Sequence, residues 1–370
     1  MIRGLVPEAV ARQHWQVIVP LLGLVVFGVA VLHSAAGGSF DPWATKHALR
    51  FGMFLVMALA ISYVPRDLFK LAAYPAYGAI LALLVLVELI GGIGGGSQRW
   101  LNLGFMMLQP SELMKPAIVL VLARFFDALP PAMTVSWRAL VPSLGLLGLP
   151  AGLVMLQPDL GTGLAISFGA IVIIFLAGIP LRWFIGGGIA AAVIAPIAFF
   201  TLLHEYQRKR VLVFLDPEGD PLGSGYHITQ SKIAIGSGGF FGKGFGNGSQ
   251  SHLEYLPEAH TDFVFATMAE EWGILGGLFV LFCFFLILRW GLTVAREAQD
   301  RFSQLLAAGM TATVFFYIAI NLMMVMGLAP VVGIPLPFLS HGGSSMMTNM
   351  LCIGTIMAIS NWQGGKRSLS

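Results

Sequence analysis

Four short polar strings interrupt an otherwise apolar chain, and each reads as the start of a helix. They are Gln109-Pro110-Ser111-Glu112, Asp159-Leu160-Gly161-Thr162-Gly163, His260-Thr261-Asp262 and Ser340-His341-Gly342-Gly343-Ser344-Ser345. Proline near the first helical position and an acid at the cap remove or satisfy orphan amides, so Glu112, Asp159 and Asp262 each have a capping explanation. Their chemical reading is different. Several helix N-termini converging on one mouth favour an anionic ligand, because free amides and helix dipoles point at it. Arg99, Lys115, Arg208, Lys209, Arg210, Lys232 and Lys243 add cations on the same side. Arginine forks grip the oxygens of a pyrophosphate, while attraction to anionic lipid headgroups is the competing account for 208–210.

The elements that must present these strings are membrane spans. Of 370 residues, 57% are apolar and 11% charged, against about 25% charged in ordinary soluble domains. Disordered, collagen-like and disulfide-framework classes are excluded. Apolar runs bounded by charges, Gly and Pro predict ten spans, near 16–34, 48–64, 71–91, 112–127, 138–156, 162–179, 183–203, 263–289, 303–327 and 344–362. No run alternates with period two, so the expected class is an all-α polytopic membrane protein with about ten helices, not a barrel. The chain, 1–370, is expected to be a single transmembrane domain. Cys283 and Cys352 lie inside apolar runs and read as packing residues.

Basic residues set the orientation. Counting only short segments, one side holds twelve and the other four. Both termini are therefore expected on the cytoplasmic side of the membrane, and the net charge of +3 argues for no nucleic-acid partner. Segment 204–262, between spans seven and eight, is expected to be a long extracytoplasmic loop over the outer mouth, with a short surface helix around 227–235. Glu270 and Glu271 fall about 12 Å below Asp262 on one helix. With Glu88, they are the acids a proton relay or transport path would use, although hydrogen bonding to a neighbouring helix explains them as well. Gly236–Gly244 lacks the glycine and hydroxyl positions of a nucleotide phosphate loop.

The string Ser249-Gln250-Ser251-His252-Leu253-Glu254-Tyr255-Leu256-Pro257-Glu258-Ala259-His260-Thr261-Asp262-Phe263 resembles the outer-loop signature of the SEDS family. Gln98-Arg99-Trp100, Gln109-Pro110-Ser111-Glu112, Gln157-Pro158-Asp159-Leu160-Gly161 and Gly333-Ile334-Pro335-Leu336-Pro337 with Gly342-Gly343-Ser344-Ser345 fit it in the family's order. Tyr206–Arg210, Phe214-Leu215-Asp216-Pro217 and Asp220-Pro221-Leu222-Gly223 look like the family's elongation branch rather than its division branch.

The resemblance implies a peptidoglycan glycosyltransferase, with glycan on a polyprenyl pyrophosphate as donor and lipid II as acceptor. The family's essential outer-loop Asp falls on Asp262, and its helix-start Glu and following Lys fall on Glu112 and Lys115. Arg99, Gln109, Arg208, Arg210, Lys243, Ser344 and Ser345 are the expected substrate contacts. A divalent cation is the cofactor considered for such a site, with Asp159 the candidate to hold it. The implied partner is a class B penicillin-binding protein, since none of the 370 residues reads as a peptide-crosslinking domain. Two positions depart from the family pattern: His341 stands where Tyr is usual, and Trp272 where Leu is usual. The alternative function is a lipid II flippase.

Overall fold

A computed structural model of the chain describes residues 14–90, 92–94, 97–102, 107–157, 159–201, 208, 211–214, 216, 224–252, 255–256 and 258–367. Its helices are α1 (Trp15–Ala35), α2 (Ala44–Ser62), α3 (Arg66–Ile90), α4 (Pro110–Ala128), α5 (Trp137–Leu156), α6 (Leu160–Leu176), α7 (Leu181–Thr201), α8 (Ser224–Gly238), α9 (Ser249–His252), α10 (Val264–Glu297), α11 (Arg301–Val325) and α12 (Gly343–Arg367). Leaving out α8 and α9, the described helices fall on the ten spans expected from the sequence. Seven of them are long and apolar enough to cross a membrane, and α6, at 17 residues, is a shorter apolar helix. The remaining two, α4 and α12, are diluted by the polar residues they carry: Glu112 and Lys115 on one, Ser344, Ser345, Thr348 and Asn349 on the other. The chain is a multi-pass membrane protein.

Local sequence explains the helix ends. Pro110 opens α4 where its missing N–H is no loss. Asp159 caps α6 by accepting from Thr162 N at 3.1 Å, and Asp300 caps α11 by accepting from Ser303 N at 3.1 Å. α11 is enveloped on most sides, with Leu306, Val314, Tyr317 and Met324 buried. It packs against α4, α6, α10 and α12, while α12 lies along α2 and α10 also meets α1 and α8. Lipid is as apolar as a leucine face, so such contacts are held by close packing and polar links rather than by exclusion of water. Cys283 and Cys352 are buried and unpaired with each other.

Two features depart from the expectation. Between α3 and α4 the described residues form a small antiparallel sheet of β1 (Gly92–Gly94), β2 (Ser97–Asn102) and β3 (Met107–Leu108), which sets Arg99 beside the start of α4. Its strands are too short to register as a periodic pattern. The loop helix α8, Ser224–Gly238, is longer than the 227–235 expected, and one of its faces packs on the bundle. Gly225, Ile228, Ser231, Ala234 and Gly238 are buried, at helical spacing, and Ser231 Oγ donates to Val325 O at 2.8 Å. Ile233 is 45% exposed.

Candidate active site at the gathered helix starts

The starts of α4, α6, α10 and α12 meet at one end of the bundle. On α4, Lys115 Nζ donates to Glu112 Oε1 at 2.5 Å and to the Tyr317 hydroxyl at 2.7 Å. That hydroxyl in turn donates to Glu112 Oε2. The Lys115 side chain is 0% exposed and that of Glu112 8%. Charges this deep persist only when paired and hydrogen-bonded. The i, i+3 spacing supplies the pairing, and the phenol from α11 completes it.

A second network joins three helix starts. Asp159, already the cap of α6, accepts from Gln109 Nε2 at 3.0 Å and lies 3.7 Å from Arg99 NH1. Arg99 Nε donates to Gln157 O at 3.0 Å. Ser344, at the start of α12, donates to Met107 O at 3.1 Å and accepts from Gln109 N at 3.4 Å. Gly161 admits the 330s segment here: a Cβ on it would lie 2.7 Å from Val332 O.

Asp262 sits half-buried on the turn before α10. Its backbone carbonyl accepts from Asn321 Nδ2 at 2.9 Å, and the same amide donates to Ile334 O at 2.8 Å. A Cβ on Gly333 would lie 3.6 Å from Asp262 Oδ2, so the carboxylate faces that glycine. Asn321 is one turn beyond Tyr317 on α11, and residues i, i+4 share a helix face. One face of α11 therefore holds both the Glu112–Lys115 pair and the Asp262 turn.

Aromatic and imidazole groups form the wall behind Asp262. His260 stacks on Trp43 at 4.0 Å and 9°, and His341 N donates to His260 O at 2.9 Å. Arg50 NH1 lies 3.1 Å from His341 Nε2. Guanidinium only donates, so that nitrogen accepts and the imidazole is neutral. Burial and the adjacent Arg50 push the His341 pKa down to about 4. Burial also lowers that of His260, partly offset by Glu258. His341 is thus a neutral acceptor, where the resemblance drawn from the sequence led one to expect a ring hydroxyl. Trp272, the other departure, packs edge-on against Phe27 at 5.0 Å.

Glu112, Lys115, Gln109, Arg99, Asp159, Ser344 and Asp262 lie at one end of the bundle. Ser345 is there too, its Oγ 3.4 Å from Asn349 Nδ2. Lys243 is committed elsewhere: its ammonium donates to Glu270 Oε1 at 2.6 Å. Arg208 NH2 donates to Phe200 O at 2.8 Å, at the end of α7, and Arg210 lies outside the described residues. Asp159 is already held by an amide, a carboxamide and a guanidinium, an arrangement suited to a cap rather than to a cation. Among the described residues no group of three or more His, Cys, Asp or Glu is placed to hold a metal ion. Glu271 accepts from Ser34 Oγ and Glu88 is exposed on α3, so the three acids do not line one path. The sequence reading missed Tyr317, Asn321, Arg50 and Trp43. The available signal for Tyr317 and Asn321 was two polar residues four apart on one face of an apolar span.

The family model FTSW_RODA_SPOVE, described as cell cycle protein, matches residues 13–364. The chain is 42% identical over 341 residues to the peptidoglycan glycosyltransferase MrdB of Escherichia coli (strain K12), covering 92% of this chain and 91% of that one. It is 36% identical over 365 residues to a probable peptidoglycan glycosyltransferase FtsW of Trichlorobacter lovleyi, covering 96% and 94%. A solved chain described under "Structural coordination of polymerization and crosslinking by a peptidoglycan synthase complex" superposes with TM-score 0.82 at 32% identity, over 95% of this chain and 98% of that one. The crystal structure of Thermus thermophilus rod shape determining protein RodA gives TM-score 0.71 at 29% identity, over 96% and 98%.

Proposed function

The chain belongs to the SEDS family of cell cycle proteins and is a peptidoglycan glycosyltransferase of cell elongation; from that premise we propose that it polymerises lipid II at the outer face of the bacterial cytoplasmic membrane, with Asp262 as general base. In this reading both termini are cytoplasmic, residues 1–370 form one transmembrane domain, and 204–262 is the extracytoplasmic segment. The C4 hydroxyl of the acceptor sugar attacks the anomeric carbon of the glycan carried on polyprenyl pyrophosphate. The glycosidic bond forms as the bond to pyrophosphate breaks, the proton passes to Asp262, and the polyprenyl pyrophosphate leaves as an anion. A sugar hydroxyl is a poor nucleophile, and a positioned base contributes about 10²–10⁴-fold. Negative charge grows on the leaving group, so helix starts and arginines aimed there stabilise the transition state more than the ground state. Arg208, Arg210, Ser344 and Ser345 are the groups assigned to it. Gln109 and Arg99 act one step back, by holding Asp159 and the α6 start, and Glu112–Lys115 keep the α4 start in register.

The observation that carries this reading is the single face of α11 on which Tyr317 grips the Glu112–Lys115 pair and Asn321 grips the Asp262 carbonyl. It ties the Glu112–Lys115 pair and the turn that carries Asp262 to one helix. A flippase would use Glu88, Glu270 and Glu271, and their separate placements favour no such path. The partner proposed is a class B penicillin-binding protein, in keeping with the synthase complex that the chain resembles. Purified protein supplied with lipid II tests the reading. Wild type makes glycan polymer, and Asp262→Asn loses at least about a hundredfold in rate while still binding substrate. Near-normal polymerisation by Asp262→Asn removes the base.

A further inference from the structure

α10 is not one helix. Gly273 has φ 62° and ψ −155°, and the loop from Gly239 to Gly244 is spliced into the break. In a continuous helix Ile274 N and Leu275 N would donate to Glu270 O and Glu271 O. Here Ile274 N donates to Gly239 O at 3.1 Å and Leu275 N to Phe240 O at 3.4 Å, while Lys243 N takes Glu270 O and Gly244 N takes Glu271 O, each at 3.0 Å. The fit excludes side chains: a Cβ on Gly273 would lie 2.4 Å from Gly242 N, and one on Gly242 would lie 2.0 Å from Glu271 O.

The Glu270 side chain locks the splice. It is 0% exposed and receives Lys243 Nζ at 2.6 Å, Ser249 Oγ at 3.0 Å and Gln250 N at 3.1 Å on its second oxygen. Lys243 Nζ also donates to Ser249 Oγ at 2.8 Å. Two further, separate sets of backbone bonds lie on the way to the Asp262 turn. Gln250 O accepts from Leu256 N at 3.0 Å, and Glu258 O from Thr261 N at 3.0 Å and Phe263 N at 3.3 Å. An uninterrupted helix would satisfy these backbone groups without a left-handed residue or a buried charge pair. Departures of that kind persist where the surrounding structure gains something from them, and here Glu270 lies eight residues and Gly273 eleven from Asp262.

We propose that Glu270, with Lys243, is a positioning pair for the transferase reaction: it clamps 239–250 into the break of α10 and thereby holds the turn 255–263 with the Asp262 carboxylate at the mouth. The proposal rests on Asp262 as the base. Misplacing a reacting group by about 1 Å costs on the order of a hundredfold. Glu270→Gln in the full chain therefore lowers kcat for lipid II polymerisation by about tenfold to a hundredfold, with KM changed less than about threefold.

Lys243→Met does the same, Lys243→Arg restores most of the rate, and Lys243→Met with Glu270→Gln together are no worse than the worse single change, because the two act as a unit. On the residual rate of Asp262→Asn, Glu270→Gln has less than about a twofold effect. Hydrogen exchange reads the clamp without turnover: Glu270→Gln speeds exchange at Gln250 and across 243–256 while 276–297 is unchanged. If Glu270→Gln fails to fold, Lys243→Met carries every arm, the Lys243 side chain being 31% exposed. Wild-type kcat in both variants overturns the proposal, and so does unchanged exchange at 243–256, or an equal loss with and without the Asp262 change. A raised KM with unaltered kcat in Lys243→Met makes Lys243 a substrate contact and likewise overturns it. Full activity in Asp262→Asn instead defeats the base assignment, a different pattern from failure of the clamp alone.

Discussion

Replacing Lys115 by Met leaves a volume close to the original but strands the Glu112 carboxylate. Its side chain is 8% exposed and would keep the Tyr317 hydroxyl as its described side-chain partner, having lost an ammonium at 2.5 Å. Removing one member of a buried pair costs about 3–5 kcal/mol, because the surviving charge is uncompensated. At roughly 2.1 cal/mol/K per residue, a chain of 370 residues loses about 1.3 °C of Tm per kcal/mol, so Lys115→Met lowers Tm by about 4–6 °C. Lys115→Met combined with Glu112→Gln removes the stranded charge and recovers most of the loss, since a neutral replacement of a buried pair is close to neutral in stability. Lys70→Met is the control. Its partner Asp127 keeps Arg124 at 3.1 Å, and the Lys70 and Asp127 side chains are 22% and 16% exposed, so that change costs about 1 kcal/mol at most. Thermal unfolding in detergent, followed by intrinsic fluorescence, reads all three. Equal Tm for Lys115→Met and Lys70→Met, or a double variant less stable than Lys115→Met, would refute the account of a closed, buried three-group network.

Asn321→Leu leaves the carbonyls of Asp262 and Ile334 without their shared donor; at about 1–3 kcal/mol for buried groups so abandoned, polymerisation falls at least about tenfold while the helix content by circular dichroism is unchanged. Gly161→Val forces a side chain into the 2.7 Å approach of Val332 O and destabilises by about 1–3 kcal/mol, seen as a lower Tm that Gly161→Ala shares in part. His341 is depressed from 6.5 to about 4 by burial and by Arg50. The unfolded chain therefore takes up that proton first. The associated stability is complete above pH 6.5 and is lost as pH falls towards 4. His341→Tyr removes that contribution, and a Tm–pH slope over pH 4–6.5 identical to wild type would contradict it.

The local code was sufficient for much of this protein. Ten apolar runs of membrane length, the proline that opens α4 and the aspartates that cap α6 and α11 are decided within a few residues of chain, because apolar length and orphan amides are local quantities. The polar strings at 109–112, 159–163, 260–262 and 340–345 were legible for the same reason, and their gathering at one end follows from alternating helix directions. What the sequence could not assign is who pairs with whom. Lys115 looked like a cation for a phosphate, yet Tyr317, 202 positions away, encloses it with Glu112. Lys243 looked like another, but a break in α10 that nothing in its apolar pattern announces brings it to Glu270. Asn321 reads as a stray polar residue until α11 is placed between α4 and the 330s segment. A buried charge has one satisfactory neighbour among many of the right type, and only packing in three dimensions selects it.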